Sequence, residues 1–111
     1  MGGPRRKVEW TKPAHQDLEG ILDYTSLDRP LLVPDLLERF RAAADRLSSF
    51  STRGRVIPEL RSMGVTTFRE VILHPWRIAY RIEERRVLIL AVIDGRRRVG
   101  DLLLERLIRG S

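Results

Sequence analysis

The chain has 111 residues, 42% of them hydrophobic and 32% charged, with 21 basic residues against 15 acidic ones and a net charge of +6. That length makes one domain, able to bury roughly two-thirds of its unfolded surface, and the composition excludes a disordered tail. Zero cysteines exclude a disulfide framework and a cysteine-ligated zinc or iron–sulfur site, which suits a reducing cytoplasm.

The opening "MGGPRRKVEW" has basic residues but no apolar stretch behind them, so no secretory signal is expected. No run approaches the roughly 18 apolar residues of a membrane span, so no membrane partner is expected. "KVEWT" reads as a first strand, with Val8 and Trp10 on one face. A helix follows, with Thr11 as its cap and Pro13 in its first turn. Leu18, Ile21, Leu22 and Thr25 recur at helical spacing on its core face, and Gly20 suggests close packing against the next helix. Val33, Leu36, Leu37, Phe40, Ala44 and Leu47 form one stripe of a second helix, and the short connection predicts an antiparallel helical hairpin.

Residues Ser48 to Gly64 read as irregular, and three strands then follow. Thr66 to Leu73 carries a Phe68/Ile72 face, and His74-Pro75 makes a turn. Trp76 to Glu83 alternates Ile78, Tyr80 and Ile82 with Arg77, Ala79 and Arg81. Val87 to Ile93 is apolar on both faces, as a strand covered on two sides should be. Asp94-Gly95 ends it, and a terminal helix spans about 99–109. The order β-α-α-β-β-β-α predicts a single α+β domain over residues 1–111, with a helical hairpin packed on a small, mostly antiparallel sheet. The terminal helix carries more leucine than one narrow stripe needs, so the side around Leu104, Leu107 and Ile108 is expected to meet a partner.

No nucleotide-binding, zincin or hydrolase-elbow motif occurs, and His15 and His74 are too isolated for a metal cluster; neither metal nor cofactor is expected. His15 reads as a solvated helix residue, as do Asp17 and Glu19, and His74 as a turn residue and the one imidazole placed for proton transfer near an anion site. All basic residues except Lys7 and Lys12 are arginine, the side chain best suited to bidentate contacts with phosphate or carboxylate. Arg69, Arg77 and the run Arg96, Arg97 and Arg98 are expected to converge on one rim of the sheet and grip an acidic partner or phosphate.

The stretches "VEWTKPAHQDLEGILDYTS" and "RGRVIPELRSMGVTTFREVILHPWRIAYRIEERRVLILAVIDGRRR" together resemble the RelE/ParE toxin superfamily of type II toxin–antitoxin modules. Carrying the resemblance are the opening strand, Ala14, Asp17-Leu18, Ile21 and Tyr24. The Gly54…Pro58-Glu59-Leu60 loop, Arg69-Glu70, Arg77-Ile78…Tyr80 and Arg97-Arg98 complete it.

The resemblance implies a cytoplasmic toxin neutralised by a cognate antitoxin, and it admits a homodimer or a larger toxin–antitoxin assembly. RelE-like members cut messenger RNA on the ribosome without a metal; ParE-like members inhibit DNA gyrase, the growth-inhibiting role that goes with plasmid stabilization. Mapped onto this chain, the RelE pattern keeps Arg69, Arg77 and Arg97 but puts Val71 at a lysine site and Leu103 near a tyrosine site. Arginine neutralises charge but accepts protons poorly near pH 7. The reading is therefore a ParE-like toxin engaging its target or antitoxin through Arg69, Arg77, Arg97, Arg98, Leu104, Leu107 and Ile108. The alternatives are a nuclease using Arg69, Arg77, Arg97 and His74, and an inactive antitoxin-binding relative. Replacing Arg77 and Arg97 together is expected to lower toxicity with the fold intact.

Overall fold

The computed structural model describes residues 5–108, and for residues 107 and 108 the backbone alone. Strand β1 (Lys7–Trp10) leads into helix α1 (Lys12–Asp28), whose N-terminal amide at Ala14 is capped by the Thr11 hydroxyl, with Pro13 in the first turn. A short 3-10 turn, Pro30–Leu32, connects α1 to α2 (Val33–Asp45). Beyond it come β2 (Arg55–Val56), α3 (Pro58–Arg61), β3 (Phe68–Leu73), β4 (Trp76–Ile82), β5 (Arg86–Asp94) and α4 (Val99–Ile108). The sheet order is β1-β5-β4-β3-β2, antiparallel except for the β1–β5 pair. The expected α+β architecture is therefore present. The stretch expected to be irregular contributes three small elements: the 3-10 turn Ser51–Arg53; β2, which extends the sheet; and α3, which starts at Pro58, where a helix needs no backbone donor.

Each face of the sheet carries its own core. The α1–α2 hairpin buries Leu18, Leu36, Phe40 and Leu47 against Ile78, Tyr80, Val87 and Ile89, and the Phe40 and Trp76 rings meet at 5.3 Å. On the opposite face α3 and α4 bury Ile57, Leu60, Val99 and Leu103 against Ala79, Ala91 and Ile93. The two-sided greasiness of β5 follows from this double cover and from a bulge. Tyr80 pairs with Ile89 but Ala79 with Ala91, so Leu90 is an extra residue. Val87 and Ile89 face the hairpin; beyond the bulge the phase flips, Val92 faces the hairpin and Ala91 and Ile93 face α4.

A bulge leaves backbone groups without ladder partners, and here two charged side chains take them. Arg106 Nη1 of α4 donates to the Leu90 carbonyl at 2.7 Å, and the Val92 amide donates to Asp17 Oδ2 of α1 at 3.0 Å. Asp17 and Arg106 pair with each other at 3.1 Å. Asp17, expected on the solvated face, instead ties α1 and α4 to the sheet. Asp17→Ala is expected to cost about 1–3 kcal/mol, read as a lower urea midpoint at unchanged m-value; an unchanged midpoint would mean the bulge holds without it. Gly20 also departs from expectation. A Cβ there would meet nothing within 4 Å, because the residue faces an open cleft beside α4 rather than helix α2.

Candidate binding site

The arginines expected on one rim separate into inward and outward sets. Arg69 lies opposite Tyr80 and Arg77 opposite Ile72 in the β3–β4 ladder. Strand alternation therefore sends the two side chains to opposite faces of the sheet. Arg69 emerges on the hairpin side, where its Nη1 donates to the Gly54 carbonyl at 2.7 Å. It also sits toward the far end of the hairpin, four residues along β4 from Trp76, about 13 Å at strand rise.

Arg77 is 9% exposed. Nη1 and Nη2 clamp both oxygens of Glu59 at 2.7 Å, and Nε and Nη2 reach the two oxygens of Glu70 at 2.6 and 2.8 Å. Glu70, 1% exposed, accepts a further bond from Arg55 Nε at 2.8 Å. These hydrogen bonds hold the Glu59 carboxyl below its ordinary range against the opposing effect of desolvation, and raise the Arg77 guanidinium further from titration. A guanidinium engaged this way has no face left for an outside carboxylate or phosphate. The convergent rim is corrected accordingly: Arg77 joins β4 to β3 and α3, and its replacement would not leave the fold intact.

The outward set lies after β5. The Gly95 amide donates to the Pro75 carbonyl at 2.7 Å, which seats the turn at residues 95–98 beside the cis His74–Pro75 hairpin turn. Arg96 pairs with Asp94 at 2.6 Å and Arg98 with Asp101 at 2.7 Å, both on the surface, where such pairs constrain little. Arg97 is exposed and its side chain makes no ion pair among the described residues. With Arg96 and Arg106 it edges a cleft of about 790 Å³ between α1 and α4, whose apolar wall includes Ile21, Tyr24, Trp76 and Leu102. Tyr24 is 79% exposed. The cleft thus combines an aromatic wall with an exposed cation, the makings of a protein-binding surface.

The apolar half of the expected site is altered. Leu104 is half-buried against the α3–α4 core rather than free, and the side chains of Leu107 and Ile108 lie outside the described residues. His74 is exposed at the hairpin turn, with no hydrogen bond or ion pair among the described residues. Val71 and Leu103, the positions matched to a lysine and a tyrosine, are 9% and 2% exposed and belong to the two cores. No group of three metal-ligating side chains occurs among the described residues, and none of the described helices is long and apolar enough to cross a membrane.

The turn has a pH signature. Hydrogen bonds from the Arg96 side chain and amide hold Asp94 at about 2, below its ordinary 3.8. Because the folded value lies below the unfolded one, this stabilisation is present above about pH 4 and lost as pH falls toward 2. Glu59 is shifted in the same direction. Asp94→Asn is expected to flatten the acid limb of a denaturation profile below pH 4; an unchanged limb would mean the pair forms equally in the unfolded chain.

Comparison with known proteins places these features. The family model described as the ParE toxin of type II toxin–antitoxin systems, parDE, matches residues 8–99. Among characterised relatives, Toxin ParE3 of Caulobacter vibrioides is 32% identical over 91 residues, covering 81% of this chain and 87% of that protein. Toxin RelE2 of the same organism is 32% identical over 87 residues, covering 78% and 91%. In fold, the chain resembles a structure titled as the chromosomal ParDE system of P. aeruginosa, with a TM-score of 0.69 at 19% identity over 81% of this chain and 96% of that one. It also resembles one from the RelBE2 toxin–antitoxin complex of Mycobacterium tuberculosis, with a TM-score of 0.57 at 22% identity over 85% and 97%. The match over residues 8–99 and the shared α+β fold show that the chain belongs to the ParE toxin family of type II toxin–antitoxin systems.

Proposed function

We propose that this toxin acts in the cytoplasm by binding DNA gyrase, as a ParE-like inhibitor that performs no chemistry of its own, and that a cognate antitoxin silences it. The observation that carries the reading is the division of its charges. Arg77 is consumed by Glu59 and Glu70, and the positions matched to proton-handling side chains are packed core at Val71 and Leu103. On the exposed turn after β5, Arg97 has no ion pair among the described residues and edges the cleft between α1 and α4, with Arg98, paired only at the surface with Asp101, next to it. Such a lip suits an acidic protein surface, steering it by charge and anchoring it on Trp76 and Tyr24. Antitoxin and target then compete for overlapping ground.

A second reading, ribosome-dependent messenger cleavage, draws on the relative named Toxin RelE2 at the same 32% identity and on the exposure of His74. Purified protein added in parallel to a gyrase supercoiling reaction and to ribosomes programmed with messenger separates the two. Gyrase inhibition with intact messenger is expected. Cleavage at the A-site codon, abolished by His74→Ala, would overturn the proposal in favour of the second reading. Neither effect would leave an inactive antitoxin-binding relative.

A further inference from the structure

Helix α1 has two apolar faces, and its own fold covers only one. Ala14, Leu18, Ile21 and Leu22 pack into the hairpin-side core. Gly20, Tyr24 and Leu27 recur at i, i+4 and i+7 on a second face, which is exposed. Leu27 is 85% exposed, and Leu31, in the 3-10 turn beyond the helix, is 93% exposed. A single exposed leucine is ordinary. A tyrosine and two leucines gathered at one end of a helical hairpin form an apolar patch of the kind that meets another protein.

The stripe is complementary to itself. Glycine inside a helix costs stability relative to alanine, yet nothing in this chain requires Gly20, since a Cβ there would meet nothing within 4 Å. The vacant position leaves room for an outside side chain to reach the helix backbone. Leu27 lies two turns away on the same face, about 10 Å at helix rise. Two copies of α1 packed antiparallel about a two-fold axis at Tyr24 would set each Leu27 over the other's Gly20, a large side chain in an open hole. The charges match as well. Asp28 falls on the cleft-facing side of the stripe, and its 3.9 Å pair with Arg29 lies in solvent. Arg97, across the cleft on that same side, has no ion pair among the described residues. A two-fold axis perpendicular to the helices keeps both groups on one side, so each Asp28 would face the other copy's Arg97.

We propose that two copies of this chain pair through α1, antiparallel about a two-fold axis near Tyr24, with Leu27 of each seated over Gly20 of the other and Asp28 set against Arg97. A second copy fits better than an anionic membrane surface, because the exposed carboxylates Asp23 and Asp28 border the stripe. Resting on one helix face per copy, the pair should be weak, with a Kd on the order of 10–100 µM. The pairing holds whatever the target. Tyr24 also edges the cleft assigned to gyrase, so on that reading the target displaces the second copy.

Sedimentation velocity of the whole chain, from about 1 µM to about 1 mM, tests this. The parent should pass from monomer to dimer and no further, because a two-fold interface closes at two copies. Gly20→Leu fills the hole and should weaken pairing at least about ten-fold, while Tm stays level or rises, since leucine favours helix and its Cβ meets no neighbour. Misfolding cannot produce that combination. Asp28→Arg should weaken pairing about five-fold, and Asp28→Arg/Arg97→Asp should return it to within about three-fold of the parent. The proposal is overturned if the parent stays monomeric throughout, including a monomer whose stripe binds lipid vesicles instead, or if it grows beyond a dimer. It is overturned equally if Gly20→Leu pairs as tightly as the parent, or if the charge exchange pairs no more tightly than Asp28→Arg alone.

Discussion

Arg77→Ala is expected to destabilise the protein by about 3–5 kcal/mol, lowering Tm by on the order of 15 °C or more for a domain of this size. The reason is what the substitution leaves behind. Glu70 is 1% exposed and would keep only Arg55, whose side chain is largely in solvent, as a charged partner. Glu59 would lose a bidentate clamp that joins α3 to the sheet. Removing one member of a buried ionic cluster costs far more than the cluster itself contributes, because the stranded charge stays desolvated. Glu70→Gln in the Arg77→Ala background should recover part of the loss, since it removes the stranded charge. A Tm within a few degrees of the parent would mean that Arg77 is not the internal tie described above.

Gly54→Ala is expected to cost about 3 kcal/mol or more, at the severe end of overpacking. The Gly54 backbone is ordinary extended chain, with φ −76° and ψ 154°, so conformation is not the obstacle. Space is: an added Cβ would lie 2.5 Å from the Glu70 carbonyl oxygen and 2.5 Å from the Tyr80 hydroxyl. Neither neighbour can move freely. The carbonyl belongs to the backbone of β3, and the buried hydroxyl donates to the Ser51 carbonyl at 2.6 Å and accepts from the Gly54 amide at 3.0 Å. Forcing them apart would loosen the segment that carries β2 into the sheet. Tyr80→Phe should not rescue Gly54→Ala, because the Glu70 carbonyl remains in the way. Alone, Tyr80→Phe should cost about 1–3 kcal/mol for the polar groups it leaves unpaired. A Gly54→Ala protein with parental stability would show that this approach is looser than described.

Much of this architecture is legible in the residues. The stripe from Val33 to Leu47 specifies the second helix, Thr11 and Pro13 mark where the first one starts, and the unbroken apolar run of β5 announces a strand covered on both faces. The bulge at Leu90 is not legible, because a continuous apolar run carries no phase. The roles of Asp17 and Arg106 follow from that bulge and were hidden with it. The position of Arg77 is different, since its surroundings could be deduced. A two-residue His74-Pro75 turn sets Leu73 opposite Trp76, hence Ile72 opposite Arg77, with Glu70 diagonal to it on the same face. What alternation alone could not show is the second layer over that face. It comes from Pro58-Glu59-Leu60, a proline-started turn of helix inside a stretch that otherwise reads as loop. With α3 and α4 in place, an arginine that alternation puts on an open face becomes an interior one.

The most direct test of the account is a titration of gyrase supercoiling activity with the purified toxin and with Arg97→Ala/Arg98→Ala, two exposed positions whose replacement should leave Tm unchanged. The account predicts inhibition by the parent and at least about ten-fold weaker inhibition by the variant, as expected for the loss of two solvent-facing cations from a charge-steered contact. Equal inhibition by the two proteins, or none by the parent, would contradict it.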